Sequence, residues 1–229
     1  MTGAPARPRV ESKICGVRDA ETLRLAAEHG ADWVGLVFWS RSPRGVTPDE
    51  AAVAVAEVSG GAGPGLVGLF VDPTDAELDA ALRAVPLALI QLHGAETPER
   101  AAAIRARFGR PVMKAIGVAR DSDLDALDRY AGAVDRFLLD AKPVLGAELP
   151  GGNGASFDWS LAARRPAPRP DGAPWMLAGG LTADNVGAAI RASGTGAVDV
   201  SSGVERARGV KDPAKVVAFL RAVRGSPQA

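Results

Sequence analysis

The strongest constraint on this chain is an alternation that repeats eight times. A short run rich in Val, Leu and Ile is followed each time by a stretch of helical length rich in Ala, Leu and charged residues. The apolar runs are Ser12–Cys15, Trp33–Phe38, Leu66–Val71, Leu87–Leu92, Val112–Ile116, Arg136–Asp140, Trp175–Ala178 and Ala197–Val200. The helical stretches open near Asp19, Pro48, Thr74, Thr97, Asp121, Phe157, Thr182 and Asp212. Three of them begin Thr47-Pro48, Thr97-Pro98 and Asp212-Pro213, a capping side chain followed by a proline whose fixed φ suits the first helical turn. Strands apolar on both faces belong in a parallel sheet covered by helices. Eight such units in 229 residues predict an α/β fold, a single closed (β/α)8 TIM barrel. An open doubly wound sheet would need fewer units or a glycine-rich dinucleotide turn after its first strand, and Cys15-Gly16-Val17-Arg18 is no such turn. Residues 10–225 read as one barrel domain and residues 1–9, rich in Pro and Arg, as a flexible tail. The Pro-rich stretch Arg164–Pro174 reads as a surface loop.

Composition narrows the function. Lys plus Arg number 27 and Asp plus Glu number 27, so the formal charge is zero. A nucleic-acid binder usually shows a basic excess, and none is present. No apolar run follows the N-terminal tail as a secretory signal requires, and none approaches the roughly 20 apolar residues of a membrane helix. A cytoplasmic protein is expected, with no membrane partner. One cysteine cannot form an internal disulfide, so Cys15 is either a buried small hydrophobe or a working thiol. With one Cys and two distant His, His29 and His93, no metal site is expected.

Side chains alternate along a strand, so polar residues inside apolar strands are informative. Lys13 and Cys15 share one face of the first strand, and Gln91 and His93 one face of the fourth. Lys114, Asp140 and Asp199 are lone polar residues in the fifth, sixth and eighth. All three are expected to point into the barrel and pair there, because an unpaired buried charge is costly. Neighbouring strands make Lys13–Asp199 the expected ion pair. Cys15 and Asp140 close their strands three positions apart around the ring, where an acid and a base can reach one ligand from two sides. Taken singly, Cys15 reads equally well as a packing residue and Asp140 as a loop anchor.

Glycine-rich segments follow the last three strands: Gly151-Gly152-Asn153-Gly154, Gly179-Gly180-Leu181-Thr182 and Ser201-Ser202-Gly203-Val204. Glycine lets backbone N–H groups approach an anion, and barrels often bind phosphate with the loops after strands seven and eight. The connection after strand six, Ala141 to Gly154, is long enough to suggest function. Arg44, in the long loop after strand two, has a guanidinium suited to a carboxylate or phosphate. Ser201 and Ser202 have no His partner for a hydrolytic triad. Trp33, Trp39, Trp159 and Trp175 read as core or helix cover.

Taken together, Lys13-Ile14-Cys15-Gly16, Gly35-Leu36-Val37-Phe38 with Ser42-Pro43-Arg44, Gln91-Leu92-His93-Gly94, Leu139-Asp140, Gly151-Gly152-Asn153-Gly154 with Phe157-Asp158-Trp159, Ala178-Gly179-Gly180-Leu181-Thr182 with Asn185-Val186, and Val198-Asp199-Val200-Ser201-Ser202-Gly203-Val204-Glu205 closely resemble phosphoribosylanthranilate isomerases. The resemblance runs from about Ser12 to Arg224. It implies an Amadori rearrangement in tryptophan biosynthesis, acting on a phosphorylated small molecule without cofactor, in a monomer or homodimer. It implies Cys15 as general base and Asp140 as general acid. It implies Arg44 as the arginine that recognises the anthranilate carboxylate. Gly152, Gly179, Gly180, Ser202 and Gly203 fall to substrate binding, the last four in the phosphate loops. Two positions depart from the family pattern. Asn153 stands where a threonine is usual, and Gly45 replaces a bulkier residue, which is expected to loosen the loop carrying Arg44. Other phosphosugar barrels, such as indole-3-glycerol-phosphate synthases or pentose-phosphate epimerases, need lysine–glutamate or metal-binding sets that are not seen here. A non-catalytic phosphate-binding barrel would leave Cys15 and Asp140 dispensable.

Overall fold

A computed structural model of the chain describes residues 9–58, 63–142, 151, 152, 154–164 and 174–226. Eight parallel strands close into a barrel in chain order. They are β1 Glu11–Cys15, β2 Trp33–Val37, β3 Gly65–Phe70, β4 Leu89–Leu92, β5 Val112–Val118, β6 Arg136–Ala141, β7 Trp175–Leu177 and β8 Ala197–Val200. The helices between and after them are α1 Ala20–Glu28, α2 Pro48–Ala56, α3 Asp75–Ala84, α4 Pro98–Phe108, α5 Ala126–Arg129, α6 Ser160–Arg164, α7 Val186–Ser193 and α8 Pro213–Arg224. A 3-10 turn, Asp121–Asp125, leads into α5. Residues 1–8, 59–62, 143–150, 153, 165–173 and 227–229 lie outside the described residues, and with them the expected tail and most of the Pro-rich stretch Arg164–Pro174.

The expected caps hold the helix starts. Thr47 caps α2 in a reciprocal bond with Glu50, ahead of Pro48. Thr97 and Asp212 cap α4 and α8 one way only, Thr97 accepting from the Arg100 amide and Asp212 from the Ala214 and Lys215 amides, each before a proline. Two helices start later than expected. The Thr182 amide donates to the Asn185 side chain, which itself donates to the Gly180 carbonyl. That closed turn occupies residues 180–185 and delays α7 to Val186. Helix α6 begins at Ser160, where the hydroxyl and amide of Ser160 bond Asp158.

The core has two parts. Val67, Leu89, Met113, Leu138, Met176 and Ala197 fill the barrel interior. The opposite strand faces pack against the helices, with Ile14, Leu36, Ile90 and Val198 wholly or almost wholly buried. The lower end is closed by Trp33, whose indole donates to Glu11, and by Arg136, which pairs with Glu11 and lies over the Trp33 ring. Cys15, Val37 and Leu69 form a separate apolar group above the interior layer, beside Trp39. One further element was not foreseen, a two-stranded antiparallel ribbon of β9 Glu205–Ala207 and β10 Val210–Lys211 after β8.

Candidate active site

The interior face of each strand decides which side chains reach the mouth. Cys15 shares its face with Lys13, Asp140 with Leu138, His93 with Leu89, and Asp199 with Ala197. All four mouth residues, Cys15, His93, Asp140 and Asp199, line one pocket of about 780 Å³, its open mouth included. Arg44, Gly152, Gly179, Gly180, Ser202 and Gly203 line it too. The structure therefore brings together every residue expected at the site. Trp39, expected as core, also lines it.

The expected pair of β1 and β8 is present. Lys13 is wholly buried, and its Nζ lies 3.0 Å from Asp199 Oδ1. Burial opposes the ammonium, but the charges of Asp199 and Cys15 outweigh it and hold Lys13 above its ordinary range. Lys114 departs from expectation. It shares a face with Val112 and Ile116, which pack against the helices, whereas Met113 fills the interior. Lys114 therefore points outward, and is satisfied there by Glu96 at 2.8 Å, the Gly94 carbonyl at 2.7 Å and the Tyr130 ring. Its charge is buried but paired, so the rule against lone buried charges is kept by a partner from the loop after β4.

Asp140 is held from both sides. The Ala141 amide donates to Oδ1 at 2.8 Å, and His93 Nε2 stands 3.6 Å from Oδ2. Gln91 Nε2 lies 3.0 Å from His93 Nδ1. With that amide donating, the ring proton sits on Nε2 and faces Asp140. Gly151 covers the pair so closely that a Cβ there would lie 2.5 Å from His93 Nε2 and 2.8 Å from Asp140 Oδ2. The composition of the chain gave His93 no role; its parity with Gln91 was the available signal.

Arg44 is buried and tethered. Its Nε and Nη2 donate to the two carboxylate oxygens of Glu205 at 2.7 and 3.0 Å, and Nη2 also to the Gly152 carbonyl at 3.1 Å. Glu205 further accepts from Lys211 at 3.0 Å and from the Gly209 amide at 3.1 Å. Burial works against the Glu205 carboxylate, yet Arg44 and Lys211 overcome it and keep the acid below its ordinary range. Gly45, expected to loosen this loop, instead tightens it. Its amide bonds the Ser42 carbonyl, and a Cβ there would lie 2.7 Å from the Trp39 carbonyl oxygen. A bulkier residue would have to displace that turn.

The glycine-rich loops after β6 and β7 have backbone that only glycine adopts easily. Gly152, Gly179 and Gly180 have φ of 69°, 90° and 65°. Gly203 sits so close to the Leu181 carbonyl that any Cβ would overlap it. Asn153 lies outside the described residues. Among the described residues no group of three or more His, Cys, Asp or Glu could hold a metal ion, and no helix is long and apolar enough to cross a membrane.

Fold and site together define a class: a (β/α)8-barrel enzyme whose mouth sets a thiol and a carboxyl over one pocket, ringed by glycine loops and a tethered arginine. The comparisons then name the family. The profile of N-(5'-phosphoribosyl)anthranilate (PRA) isomerase matches residues 12–222. The chain is 56% identical over 216 residues to the N-(5'-phosphoribosyl)anthranilate isomerase of Paramagnetospirillum magneticum, covering 94% of this chain and 98% of that one. It superposes on the crystal structure of phosphoribosyl anthranilate isomerase from Thermotoga maritima with a TM-score of 0.81 at 35% identity, covering 94% and 99% of the two chains. A crystal structure of such an isomerase in complex with reduced 1-(O-carboxyphenylamino)-1-deoxyribulose 5-phosphate matches with a TM-score of 0.78 at 34% identity, again over 94% and 99%. The chain belongs to the N-(5'-phosphoribosyl)anthranilate isomerase family.

Proposed function

We propose that this pocket converts N-(5'-phosphoribosyl)anthranilate to 1-(2-carboxyphenylamino)-1-deoxyribulose 5-phosphate, a step of tryptophan biosynthesis, with Cys15 as base and Asp140 as acid. One observation carries the assignment of roles: the two residues face the same pocket from β1 and β6. Asp140 gives its proton to the furanose ring oxygen. The bond from that oxygen to C1 breaks, its electrons stay on oxygen, and the anilino nitrogen lone pair closes an iminium to C1. The Cys15 thiolate then takes the proton from C2. The C–H electrons form a C1–C2 double bond, and the iminium electrons return to nitrogen. In the last step C1 is protonated by the Cys15 thiol, while the C2 hydroxyl returns a proton to Asp140 and becomes the ketone. C1 is reduced and C2 oxidised, so no external redox partner enters.

Arg44 takes the anthranilate carboxylate. Glu205 and Gly152 already engage Nε and Nη2, so the carboxylate meets the Nη1 side. Gly179, Gly180, Ser202 and Gly203 receive the phosphate through backbone donors, as glycine loops after strands seven and eight do in this fold. The whole reaction is carried by the single domain of residues 10–225, in the cytoplasm. Consumption of phosphoribosylanthranilate by purified protein tests this reading. Cys15→Ala and Asp140→Asn should each lower kcat by about 10²–10⁴-fold, the usual share of a positioned acid or base. Undiminished turnover in either variant overturns that residue's role.

A further inference from the structure

Cys15 must act as a base from a place that resists its charge. Burial pushes the thiol above its ordinary range, Lys13 pulls it down, Asp199 pushes it up again and Lys211 pulls more weakly. Some neighbour has to hold the sulfur as an anion when the substrate proton moves.

Geometry singles out Lys13. It sits two residues before Cys15 on the same inner face of β1, so the two side chains stand next to each other above the barrel interior. They meet over Gly35 of β2, which pairs with Cys15 in register. A Cβ at Gly35 would lie 2.9 Å from Cys15 Sγ and 3.2 Å from Lys13 Nζ. The missing side chain at position 35 therefore leaves one shared space for the ammonium and the sulfur. Asp199, from β8, grips the ammonium at 3.0 Å from the other side.

The remaining charges near the thiol are otherwise engaged. Lys211, from β10, donates to Glu205 and to the Ser201 carbonyl. Arg44, from the loop after β2, packs against Gly16 but directs its guanidinium to Glu205. His93 and Asp140 face each other from β4 and β6. A wholly buried lysine is also an expensive way to fill a barrel layer. Apolar side chains of like volume generally do so at no loss of stability. Its presence beside the sulfur asks for a use.

We propose that Lys13 is a positioning residue for Cys15: fixed by Asp199 and given room by Gly35, its ammonium stabilises the anionic sulfur that receives the substrate proton. The inference rests on the reading of Cys15 as base. It adds a division of labour within that reading, in which Asp199 orients the ammonium and does not touch the reacting atoms.

Cys15 is the chain's one cysteine, so ultraviolet thiolate absorbance, with Cys15→Ala as blank, titrates it without ambiguity. In Lys13→Met the thiol midpoint should rise by about one pH unit or more, each unit being a tenfold loss of thiolate at a given pH below the midpoint. The rising limb of kcat/KM should move with it. Lys13→Met leaves Asp199 as an unpaired buried charge and so risks the fold. The double variant Lys13→Met/Asp199→Asn removes both charges and should show a smaller rise in the same direction. A thiol midpoint unchanged or lowered in whichever variant melts cooperatively overturns the role of Lys13. A midpoint that rises while the rate profile stays in place overturns Cys15 as the base, and the proposal falls with it for that separate reason.

Discussion

Replacing Glu205 by glutamine tests the electrostatic frame of the mouth. The carboxylate accepts from Arg44 at 2.7 and 3.0 Å, from Lys211 at 3.0 Å and from the Gly209 amide at 3.1 Å. The side chains of Arg44, Glu205 and Lys211 are 5%, 5% and 2% exposed, so water screens these pairs little. Glutamine keeps the shape but removes the charge, and it turns an N–H₂ group toward a cation. Breaking a buried pair by removing one partner costs about 3–5 kcal/mol, most of it for the charge left behind. A barrel of this size loses about 2–4 °C of Tm per kcal/mol, so Glu205→Gln should melt about 6–20 °C lower at neutral pH.

The pH dependence has a definite sign. The folded-state value of Glu205 is depressed, because Arg44 and Lys211 overcome its burial. Its contribution is therefore fully present above the unfolded carboxylate value of about 4.3 and is lost as pH falls through the lower folded value. Melting curves of the two proteins should differ fully at neutral pH and draw together only in acid below about pH 4. Removing the second cation as well, in Glu205→Gln/Lys211→Met, should restore part of the loss, since that variant no longer buries an unmatched ammonium. A neutral-pH difference below about 2 °C, or a gap that widens in acid, would refute the reasoning.

Arg44→Ala should raise KM about ten- to a hundredfold with a smaller change in kcat, the loss expected of a charge-assisted bond of about 1.5–3 kcal/mol; steady-state kinetics showing an unchanged KM would count against the carboxylate contact. The profile of kcat/KM against pH, which reports the free enzyme, should still be climbing at the ordinary thiol value of 9.0, because burial holds Cys15 above it; a plateau reached a full unit lower would refute the raised thiol. Gly203→Ala places a methyl on the Leu181 carbonyl and should cost about 3 kcal/mol, the upper end for overpacking, since backbone has to move; a denaturant midpoint equal to that of the parent would reject the close approach.

The strands were legible because parallel strands buried on both faces are near-continuous apolar runs, and their ends came within two residues of the observed ones. Cys15 and Asp140 were legible for the same reason, as polar residues closing apolar runs. Lys114 was not, because Val112, Met113, Ala115 and Ile116 are apolar on both parities, and no pattern says which side of β5 the lysine takes. Its partner Glu96 arrives from the loop after β4. The clamp on Arg44 was invisible for another reason. Glu205 lies 161 residues away along the chain, and only closure of the barrel brings β9 against the loop after β2. Helix α7 was misplaced because Thr182 looks like a cap, whereas the Asn185 side chain makes the bonds that shape the turn before it.

On the proposed reading of Arg44 as the carboxylate contact, the clamp bears on the cost of binding. A free guanidinium in a loop would have to be ordered and stripped of water by each substrate, and that cost is subtracted from affinity. Here Glu205 has already ordered it, the close turn at Gly45 has fixed its backbone, and Gly152 holds the far nitrogen. Glu205 is shared between Arg44 and Lys211, the latter held below its ordinary range by burial, so Arg44 does not have the carboxylate to itself. Lys13 and Asp199, by contrast, balance each other. An incoming carboxylate is therefore met on the Arg44 side of the pocket by an oriented charge in a place of weak screening, the condition under which a fixed charge does most for an anion. The same arrangement ties stability to binding. Any substitution that frees Arg44 to move also leaves a cation buried without its partner, so variants of Glu205 should lose melting temperature and substrate affinity together, whereas Arg44→Ala, which leaves Lys211 paired with Glu205, should lose affinity with the smaller loss of stability.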